Sequence, residues 1–419
     1  MHFFTAAFAT AILVSPILAA PGPLRAIETY SGSTSGKYIV KFKAGVSRRQ
    51  WIKKLGLVKA VDWEHLNGIA SNLNTDALNT LRASGDVEYI SEDGIMHTQA
   101  VQEDATWGLQ RISTVGNITN ATTTPVTGFT YTYEDTAGEG VDIYIVGAPD
   151  FTVSFDSFNI NTQFGGRATW GLSVENYAQA DGHGHGTHCA GTAAGITYGV
   201  AKKANIIAVK VLSDAGSGSV SGIVTGLNWV ISQAEISGRP SIVSLSLGGS
   251  ASTPLDNAIA AVTAAGIHAA VAAGNSNANA ANYSPARAPS AVTVGASTIL
   301  DERASFSNYG PVVDIFAPGL SVLSSWIGGT TVRRFEVLSF LIDKSTHLWL
   351  REKATNVISG TSMATPHVAG LIAYLISKDG NLSPAEISTK LQTYSVKGAL
   401  TSLPSTTLNY LAHNAPLEE

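Results

Sequence analysis

Short apolar runs alternate with longer segments of helical periodicity through most of the chain after about residue 101. The runs are rich in Val, Ile and Ala, are too short for helices, and cover residues 206–212, 242–247, 268–273 and 292–296. Helical patterns lie between them, at residues 223–233 and 255–265. Apolar strands that alternate with helices are typical of a parallel sheet covered by helices on both faces. The predicted fold class is therefore α/β, with a functional site at the carboxyl ends of the strands.

A different pattern precedes this region, between residues 37 and 97. Its predicted elements are strand 38–42, helix 47–55, strands 58–66 and 69–73, helix 75–83 and strand 87–90. This β-α-β-β-α-β order predicts a small ferredoxin-like α+β module. Taken alone, the module also fits an independent binding domain.

The amino-acid composition limits the classes of protein to which this chain can belong. The chain has 419 residues, of which 44% are hydrophobic and 14% charged, so it is long and apolar enough for two or three globular domains. Its net charge is −5 and no basic patch stands out, so we expect no nucleic-acid partner. No window after the N-terminus is apolar enough to span a membrane, so we expect no membrane association. We also expect a monomer.

The N-terminal segment predicts secretion. Residues 1–20 read as a signal peptide, because an apolar run at 8–18 precedes Ala19-Ala20-Pro21. The segment carries His2 but neither Lys nor Arg, so a buried N-terminal helix is the alternative. Sequons for N-glycosylation fit an extracellular protein, and they lie at Asn117, Asn120, Asn282 and Asn381.

Ser362 is the candidate nucleophile, in the motif Gly360-Thr-Ser362-Met-Ala-Thr-Pro366-His367. The serine precedes a predicted helix from residue 363 to about 376, whose N-terminus would face developing negative charge. Gly360 permits a tight turn, and Pro366 is tolerated in the first helical turn. A serine that acts only as an N-cap is the alternative.

His185 is the candidate general base, in the motif His185-Gly-Thr-His188-Cys189-Ala-Gly191. Together with His183, the two histidines of the motif have a spacing that also fits a metal cluster, although no carboxylate or cysteine pattern accompanies it. Cys189 is the single cysteine, either a reactive thiol beside the histidine or a buried structural residue. Its Ala and Gly neighbours favour the structural interpretation.

These two motifs, in the order histidine then serine, resemble those of subtilisin-like serine proteases. A histidine motif that contains Cys189 resembles that of the proteinase K-like branch of the family. The resemblance runs from Lys37 to His413, apart from two interruptions. It implies an inhibitory propeptide at 37–100 and a subtilisin-like peptidase domain at 101–419. The implied function is secreted endoproteolysis through an acyl-enzyme on Ser362, with the chain's own propeptide as a partner.

The resemblance also implies roles for several loops. Asn275 matches the asparagine that donates to the oxyanion together with the backbone N–H of Ser362. Two loops match the edges between which an extended polypeptide substrate binds as an added strand, and they are Gly216-Ser217-Gly218 and Ser246-Leu247-Gly248. The pocket for the side chain before the scissile bond is implied at Ala272, Ala273 and Gly274. Its small residues imply a broad preference for apolar or aromatic side chains.

A structural calcium ion is the cofactor that the resemblance implies. Asp314 matches a calcium-binding aspartate, together with the backbone carbonyls of Pro289 and Ala291. Oxygen ligands suit this hard cation. A solvated aspartate at a strand end is the alternative.

The chain departs from the family after the strand at residues 141–146. Gly147 stands where the family has Asp-Thr-Gly or Asp-Ser-Gly, and the stretches 147–159 and 332–354 interrupt otherwise matching sequence so abruptly that they resemble translated introns. Asp156, after an apolar alternation, is the candidate substitute for the triad aspartate, and Asp150 is a second. If neither serves, the chain is a catalytically impaired pseudoprotease that binds peptides.

Overall fold

The protein divides into two compact units, residues 1–96 and 97–419. The structure, a computed structural model, describes residues 24–29, 34–64, 66–94, 99–118, 127–148, 163–327, 332–334, 349–351 and 354–415. The predicted signal peptide and both candidate substitutes, Asp150 and Asp156, lie outside the described residues. Asn120 also lies outside them.

The first unit has the predicted β-α-β-β-α-β order. Its elements are β1 (Thr34–Phe42), α1 (Arg48–Lys54), β2 (Val61–Trp63), β3 (Gly68–Ser71), α2 (Thr75–Arg82) and β4 (Val87–Gly94). The four strands form an antiparallel sheet in the order β2-β3-β1-β4. Side chains that alternate along β1 form one core with the two helices, among them Val40, Phe42, Trp51 and Leu81. The sheet order is that of a ferredoxin-like module.

The second unit contains the longer α/β pattern. Its first elements are β5 (Gln99–Ala105), α3 (Trp107–Arg111), β6 (Phe129–Glu134), β7 (Asp142–Gly147), β8 (Ala168–Ser173), α4 (His185–Ala194), β9 (Asn205–Lys210), α5 (Val220–Ser237), β10 (Ser241–Leu245), β11 (Gly249–Ser250) and α6 (Thr253–Ala264). There follow β12 (His268–Ala272), a 3-10 turn (Ala280–Asn282), β13 (Tyr283–Ser284), β14 (Val292–Ser297), β15 (Ile315–Pro318), β16 (Val322–Ser325), β17 (Val332–Arg334), β18 (Trp349–Arg351), β19 (Thr355–Ile358), α7 (Thr361–Asp379), α8 (Pro384–Tyr394), β20 (Val396–Lys397) and β21 (Tyr410–Leu411).

Nine of these strands form the central sheet, in the order β20-β21-β15-β14-β12-β10-β7-β9-β8. The pairs from β21 to β8 are parallel, and only the β20–β21 pair at one edge is antiparallel. Alternate side chains of β7 enter two cores: Ile143 and Ile145 pack towards α4 and α7, whereas Tyr144 and Val146 pack towards α5 and α6. The prediction of a largely parallel sheet with helices on both faces is confirmed.

The helix that carries the candidate nucleophile differs from the sequence prediction. It begins at Thr361 rather than Met363, with Gly360 at the N-cap position, so Ser362 lies in the first turn and is not the cap. Pro366 lies inside this helix rather than in its first turn. Because proline has no N–H, the carbonyl of Ser362, four residues earlier, receives no helical hydrogen bond from it.

The chain forms regular strands on both sides of the second interruption, residues 332–354. Strands β16 and β19 pair antiparallel on its two sides, and the N–H of Trp326 donates to the carbonyl of Ala354 at 2.9 Å. Within the interruption, β17 pairs antiparallel with β18, and residues 335–348 lie outside the described part. The strands that flank the interruption are therefore held together next to its two ends.

Candidate active site

The candidate site residues come from elements that end at the same edge of the central sheet. β7 ends at Gly147, β10 leads into Ser246, and β12 leads into Asn275. The helices α4 and α7 begin at this edge, so His185 is the first residue of α4 and Ser362 the second of α7. In a parallel sheet the carboxyl ends of the strands meet in this way, which brings residues far apart in sequence together.

Ser362 is held by contacts of its main chain and its side chain. Its carbonyl oxygen accepts from Ser246 Oγ at 2.8 Å and from Cys189 Sγ at 3.4 Å. These donors use the acceptor that Pro366 leaves without a helical partner. The Ser362 hydroxyl donates to the carbonyl of Ser246 at 3.3 Å, and no hydrogen bond joins it to His185 within the described residues.

Asn275 is oriented by the residue before the candidate nucleophile. Its Oδ1 accepts from the Thr361 N–H at 2.8 Å and from Thr361 Oγ1 at 3.0 Å, which leaves its Nδ2 as a donor. A Cβ built on Gly360 would lie 3.5 Å from the backbone N of Ser362 and 3.6 Å from Asn275 Nδ2. Both nitrogens therefore lie beside the same space next to Gly360, where they could donate to an oxyanion.

The environment of His185 favours the neutral imidazole. Burial lowers the pKa of His185 to about 4, the neighbouring His183 adds to this effect, and Asp181 opposes it. Its Nδ1 faces Cys189 Sγ at 4.0 Å, and no carboxylate of the described residues hydrogen-bonds to its ring. A neutral imidazole can accept a proton, but the imidazolium that results has no carboxylate partner in this part of the chain.

Asp181 fixes the start of α4 instead. Its Oδ1 accepts from the N–H of His183 at 2.7 Å and from the N–H of Gly184, and its Oδ2 accepts from Thr187 Oγ1 at 2.8 Å. Gly184, the N-cap, has a left-handed φ of 87°. The carboxylate therefore satisfies N–H groups at the helix start and holds the turn from which His185 projects.

The remaining residues of the histidine motif have structural contacts. His188 is buried, and its Nε2 lies 3.0 Å from the carbonyl of Val322 and 3.2 Å from that of Asn356. Burial raises the pKa of the Cys189 thiol to about 12, so the thiol stays protonated at neutral pH. The described residues contain no group of three or more His, Cys, Asp or Glu side chains that would hold a metal ion. These contacts fit structural roles for His188 and Cys189, rather than a metal ligand and a reactive thiol.

Two depressions that share lining residues such as Leu247 and Gly248 lie at this site, one beside His185 and one beside Ser362. A groove of about 780 Å³ is lined by His185 and by the two loops predicted as substrate edges, with Gly216, Ser217 and Gly218 on one side and Ser246, Leu247 and Gly248 on the other. A pocket of about 230 Å³ is lined by Ser362, Asn275 and the predicted residues Ala272, Ala273 and Gly274. Sequence reasoning did not assign Tyr283 to this pocket or His183 to the groove, because neither lies in a recognisable motif.

Asp314 lies apart from this site, just before β15. Its Oδ2 accepts from the N–H of Thr293 at 2.8 Å, two residues after Ala291. Burial raises the pKa of Asp314 to about 6. Asp314 is half-buried, and its hydrogen bond is to the main chain of Thr293, so the predicted calcium ligands at Pro289 and Ala291 remain a prediction.

Comparison with known proteins agrees with this geometry. Residues 90–411 match the model of the Subtilase family, Peptidase_S8. The chain is 42% identical over 416 residues to a cuticle-degrading protease of Metarhizium anisopliae, covering 96% of this chain and 97% of that one. It is 43% identical over 390 residues to an alkaline serine protease of Corniculantispora psalliotae, covering 91% and 90% of the two chains. The structure matches that of a cold-adapted subtilisin-like serine proteinase with a TM-score of 0.62 and 37% identity, over 76% of this chain and all of the other.

Proposed function

The chain belongs to the subtilase family and is a serine endopeptidase, and we propose that it is secreted and cleaves extended polypeptides after apolar or aromatic side chains. The observation that carries the proposal is the convergence of two donors, the N–H of Ser362 and Nδ2 of Asn275, beside Gly360. Ser362 lies at the positive end of α7, where negative charge is stabilised.

The proposed reaction proceeds through an acyl-enzyme. The Ser362 oxygen bonds to the carbonyl carbon of the substrate while His185 accepts the hydroxyl proton. The carbonyl oxygen takes up negative charge and is held by the two donors. The carbon–nitrogen bond then breaks, and His185 gives its proton to the leaving amine. Water repeats the sequence on the acyl-enzyme and releases the acid.

Substrate preference follows from the pocket beside Asn275. Its walls are small or apolar, with Ala272, Ala273 and Leu247 among them, and Tyr283 contributes an aromatic side chain. No charged side chain lines it within the described residues. We expect Phe, Tyr or Leu before the scissile bond to be preferred over Lys or Glu, because the pocket offers a buried charge no partner.

A second candidate function is peptide binding without efficient cleavage. It is favoured by one specific observation: no carboxylate among the described residues reaches His185, whose pKa is about 4. One experiment separates the two functions. The full chain and its Ser362→Ala variant are treated with a fluorophosphonate probe and, separately, with a chromogenic peptide that carries Phe before the scissile bond. Labelling and turnover that Ser362→Ala abolishes support the peptidase, whereas peptide binding without either supports the pseudoprotease.

The N-terminal unit is proposed to be the inhibitory propeptide of this enzyme. Its β-α-β-β-α-β sheet directly precedes the peptidase unit in the chain, which begins near residue 97. Processing would then release a mature chain that begins near Val101. Secretion, N-glycosylation and a monomeric state belong to the same proposal. No described helix is long and apolar enough to cross a membrane.

A structural calcium ion is proposed at Asp314. The carboxylate of Asp314 and the backbone carbonyls of Pro289 and Ala291 would hold it. Bound there, the ion would neutralise a half-buried carboxylate whose pKa burial raises to about 6. Its role would be to join the loop before β14 to the start of β15, with no part in the reaction.

A further inference from the structure

The loop that joins α7 to α8 carries a complete acceptor sequence for N-glycosylation at the protein surface. The sequence is Asn381-Leu-Ser383, and both Asn381 and Ser383 are exposed. The other sequon that the structure describes in full is Asn282-Tyr-Ser284, in which Ser284 is only 1% exposed. Glycans attach to surface segments, because the sugar chain is bulky and hydrated. The loop before α8 is therefore the more accessible of these two sequons.

A buried histidine holds the side-chain amide of Asn381. His268, the first residue of β12, is 2% exposed, and its Nε2 lies 2.9 Å from Asn381 Oδ1. Burial lowers the pKa of His268, so its ring is neutral at pH 7. Its Nδ1 is buried and has no hydrogen-bond partner among the described residues. A proton there would be a buried donor without an acceptor, so the proton lies on Nε2, which donates to Oδ1.

This hydrogen bond is compatible with a glycan on Asn381. Nδ2 is the atom that carries the sugar in a glycosylated asparagine, and it donates to no group in the part of the chain that the structure describes. Glycosylation replaces one hydrogen of Nδ2 and leaves Oδ1 free to accept. Because Oδ1 is turned towards the buried ring of His268, Nδ2 is left on the exposed side of the amide.

Asn381 also lines a depression of about 570 Å³. The strands β10 and β12 begin at its rim, so it lies at the opposite edge of the central sheet from the candidate active site. Its wall combines apolar side chains, Ile231 and Pro240 among them, with the charged groups of Glu235 and Arg239. A sugar ring has C–H groups on its faces and hydroxyl groups on its rim. A wall that is mainly apolar with a few polar groups suits both parts of such a ring.

We propose that Asn381 is N-glycosylated and that the first N-acetylglucosamine of its glycan packs into this depression. In the transfer, the bond between Nδ2 and C1 of the sugar forms while the bond between C1 and the diphosphate of a lipid-linked oligosaccharide breaks. The diphosphate leaves with the electron pair of that bond and takes up the proton that Nδ2 loses. This inference rests on the secretion in the proposed function, because the lipid-linked donor is used in the secretory pathway.

The test compares two variants of the full chain, expressed in a eukaryotic secretory host. Ser383 is the N-cap of α8, where its side chain accepts from the N–H of Glu386. Ser383→Thr keeps both the cap and the sequon. Ser383→Asn keeps a capping oxygen but removes the sequon, and it creates no new one because proline follows. Both variants leave Asn381 and its hydrogen bond from His268 in place, so they differ in the glycan.

Mass spectrometry of the peptides that contain Asn381 should find the glycan in the parent chain and in Ser383→Thr, and none in Ser383→Asn. The melting temperature of Ser383→Asn should be about 1–3 °C lower than that of Ser383→Thr, because the sugar no longer covers apolar side chains in the depression. An endoglycosidase that cuts between the first two sugars leaves the first one on Asn381. Trimming the parent in this way should therefore leave its melting temperature unchanged.

Three results would count against the inference. An unmodified Asn381 in a secreted chain would overturn it and leave the proposed function intact. Equal melting temperatures of the two variants, or a fall on trimming as large as that caused by Ser383→Asn, would overturn the packing of the first sugar. The modification is measured in secreted and cell-associated protein alike, so a chain that the host retains also gives a result. If the chain never enters the secretory pathway, the proposed secretion fails and the inference fails with it.

Discussion

Replacing Gly147 by aspartate should supply His185 with a carboxylate partner, which none of the described residues offers it. Gly147 is the last residue of β7, and side chains alternate along this strand. Ile143 and Ile145 point to the face covered by α4 and α7, so a side chain at position 147 points there too, towards the start of α4. A Cβ built on Gly147 meets no heavy atom of the described residues within 4 Å, and its φ is not in the left-handed region.

The expected magnitude comes from the charge that forms on His185. Its pKa of about 4, against an ordinary value of 6.5, corresponds to a penalty of about 3 kcal/mol for the imidazolium. A carboxylate beside the ring offsets this penalty and also fixes the tautomer. Loss of the triad aspartate lowers kcat by about 10⁴ in serine proteases. We therefore expect Gly147→Asp to raise kcat by about 10² to 10⁴.

The assay is steady-state hydrolysis of the chromogenic Phe peptide across pH, together with the chain length of the expressed protein. In the parent chain the acid limb of kcat/KM should lie near pH 4, because activity needs neutral His185 and is lost as the pH falls through its pKa. Gly147→Asp should move that limb upward, since the carboxylate favours the imidazolium. The repaired chain should also process itself to a species that begins near Val101, whereas the parent stays near full length.

Gly147→Asn is the matched control, because it adds the same volume without the charge. If Asn raises kcat as much as Asp, the gain comes from packing and the electrostatic reasoning is wrong. Full activity and prompt maturation of the parent chain would also refute it. In that case Asp156→Asn should abolish activity and Asp150→Asn should not, which would identify Asp156 as the triad carboxylate.

Further predictions concern the oxyanion donors, the metal, the interruption and the N-terminal unit. Gly360→Ala should lower kcat about 10²-fold or more with little change in melting temperature, because the added methyl group fills the space that both oxyanion donors face; an unchanged kcat would contradict this. Chelation should lower the melting temperature of the parent, and Asp314→Asn should remove most of that effect; equal sensitivity of both would exclude calcium there. Deleting 332–354 should raise the soluble yield, because Ser325 of β16 already pairs with Thr355 of β19 and the six residues 326–331 remain to close the turn between them; loss of folding would make the segment part of the core. An isolated polypeptide of residues 37–100 should inhibit the processed enzyme at micromolar concentration, and a lack of inhibition at that concentration would reject its role as a propeptide.

The spacing of apolar residues predicted the fold well because it reflects which side chains are buried. The apolar run at 206–212 became β9 and the helical pattern at 223–233 became the middle of α5, with ends displaced by a few residues. The predicted start of α7 was wrong, since Thr361 is fixed by Asn275, a contact across 86 residues. Local sequence does not encode such a contact.

The site was only partly predictable for the same reason. Ser362, His185 and Asn275 lie in motifs, and the structure brings the elements that carry them to one edge of the sheet. His183 and Tyr283 gain their positions only from loops that come together in the fold. The sequence shows Gly147 only as a departure from the family's motif, and the direction that a side chain would take at this position follows from its place at the end of β7.

Pro366 has a consequence for the order in which the site forms during folding. The Ser362 carbonyl is bonded by Ser246 and Cys189, from the end of β10 and from α4, rather than by its own helix. Isolated α7 therefore cannot define the position of its first turn. Contacts between segments more than 100 residues apart form late, after the entropy of closing long loops has been overcome. The nucleophile should reach its final place only when β10 and α4 have docked, so a partly folded chain would lack a working active site.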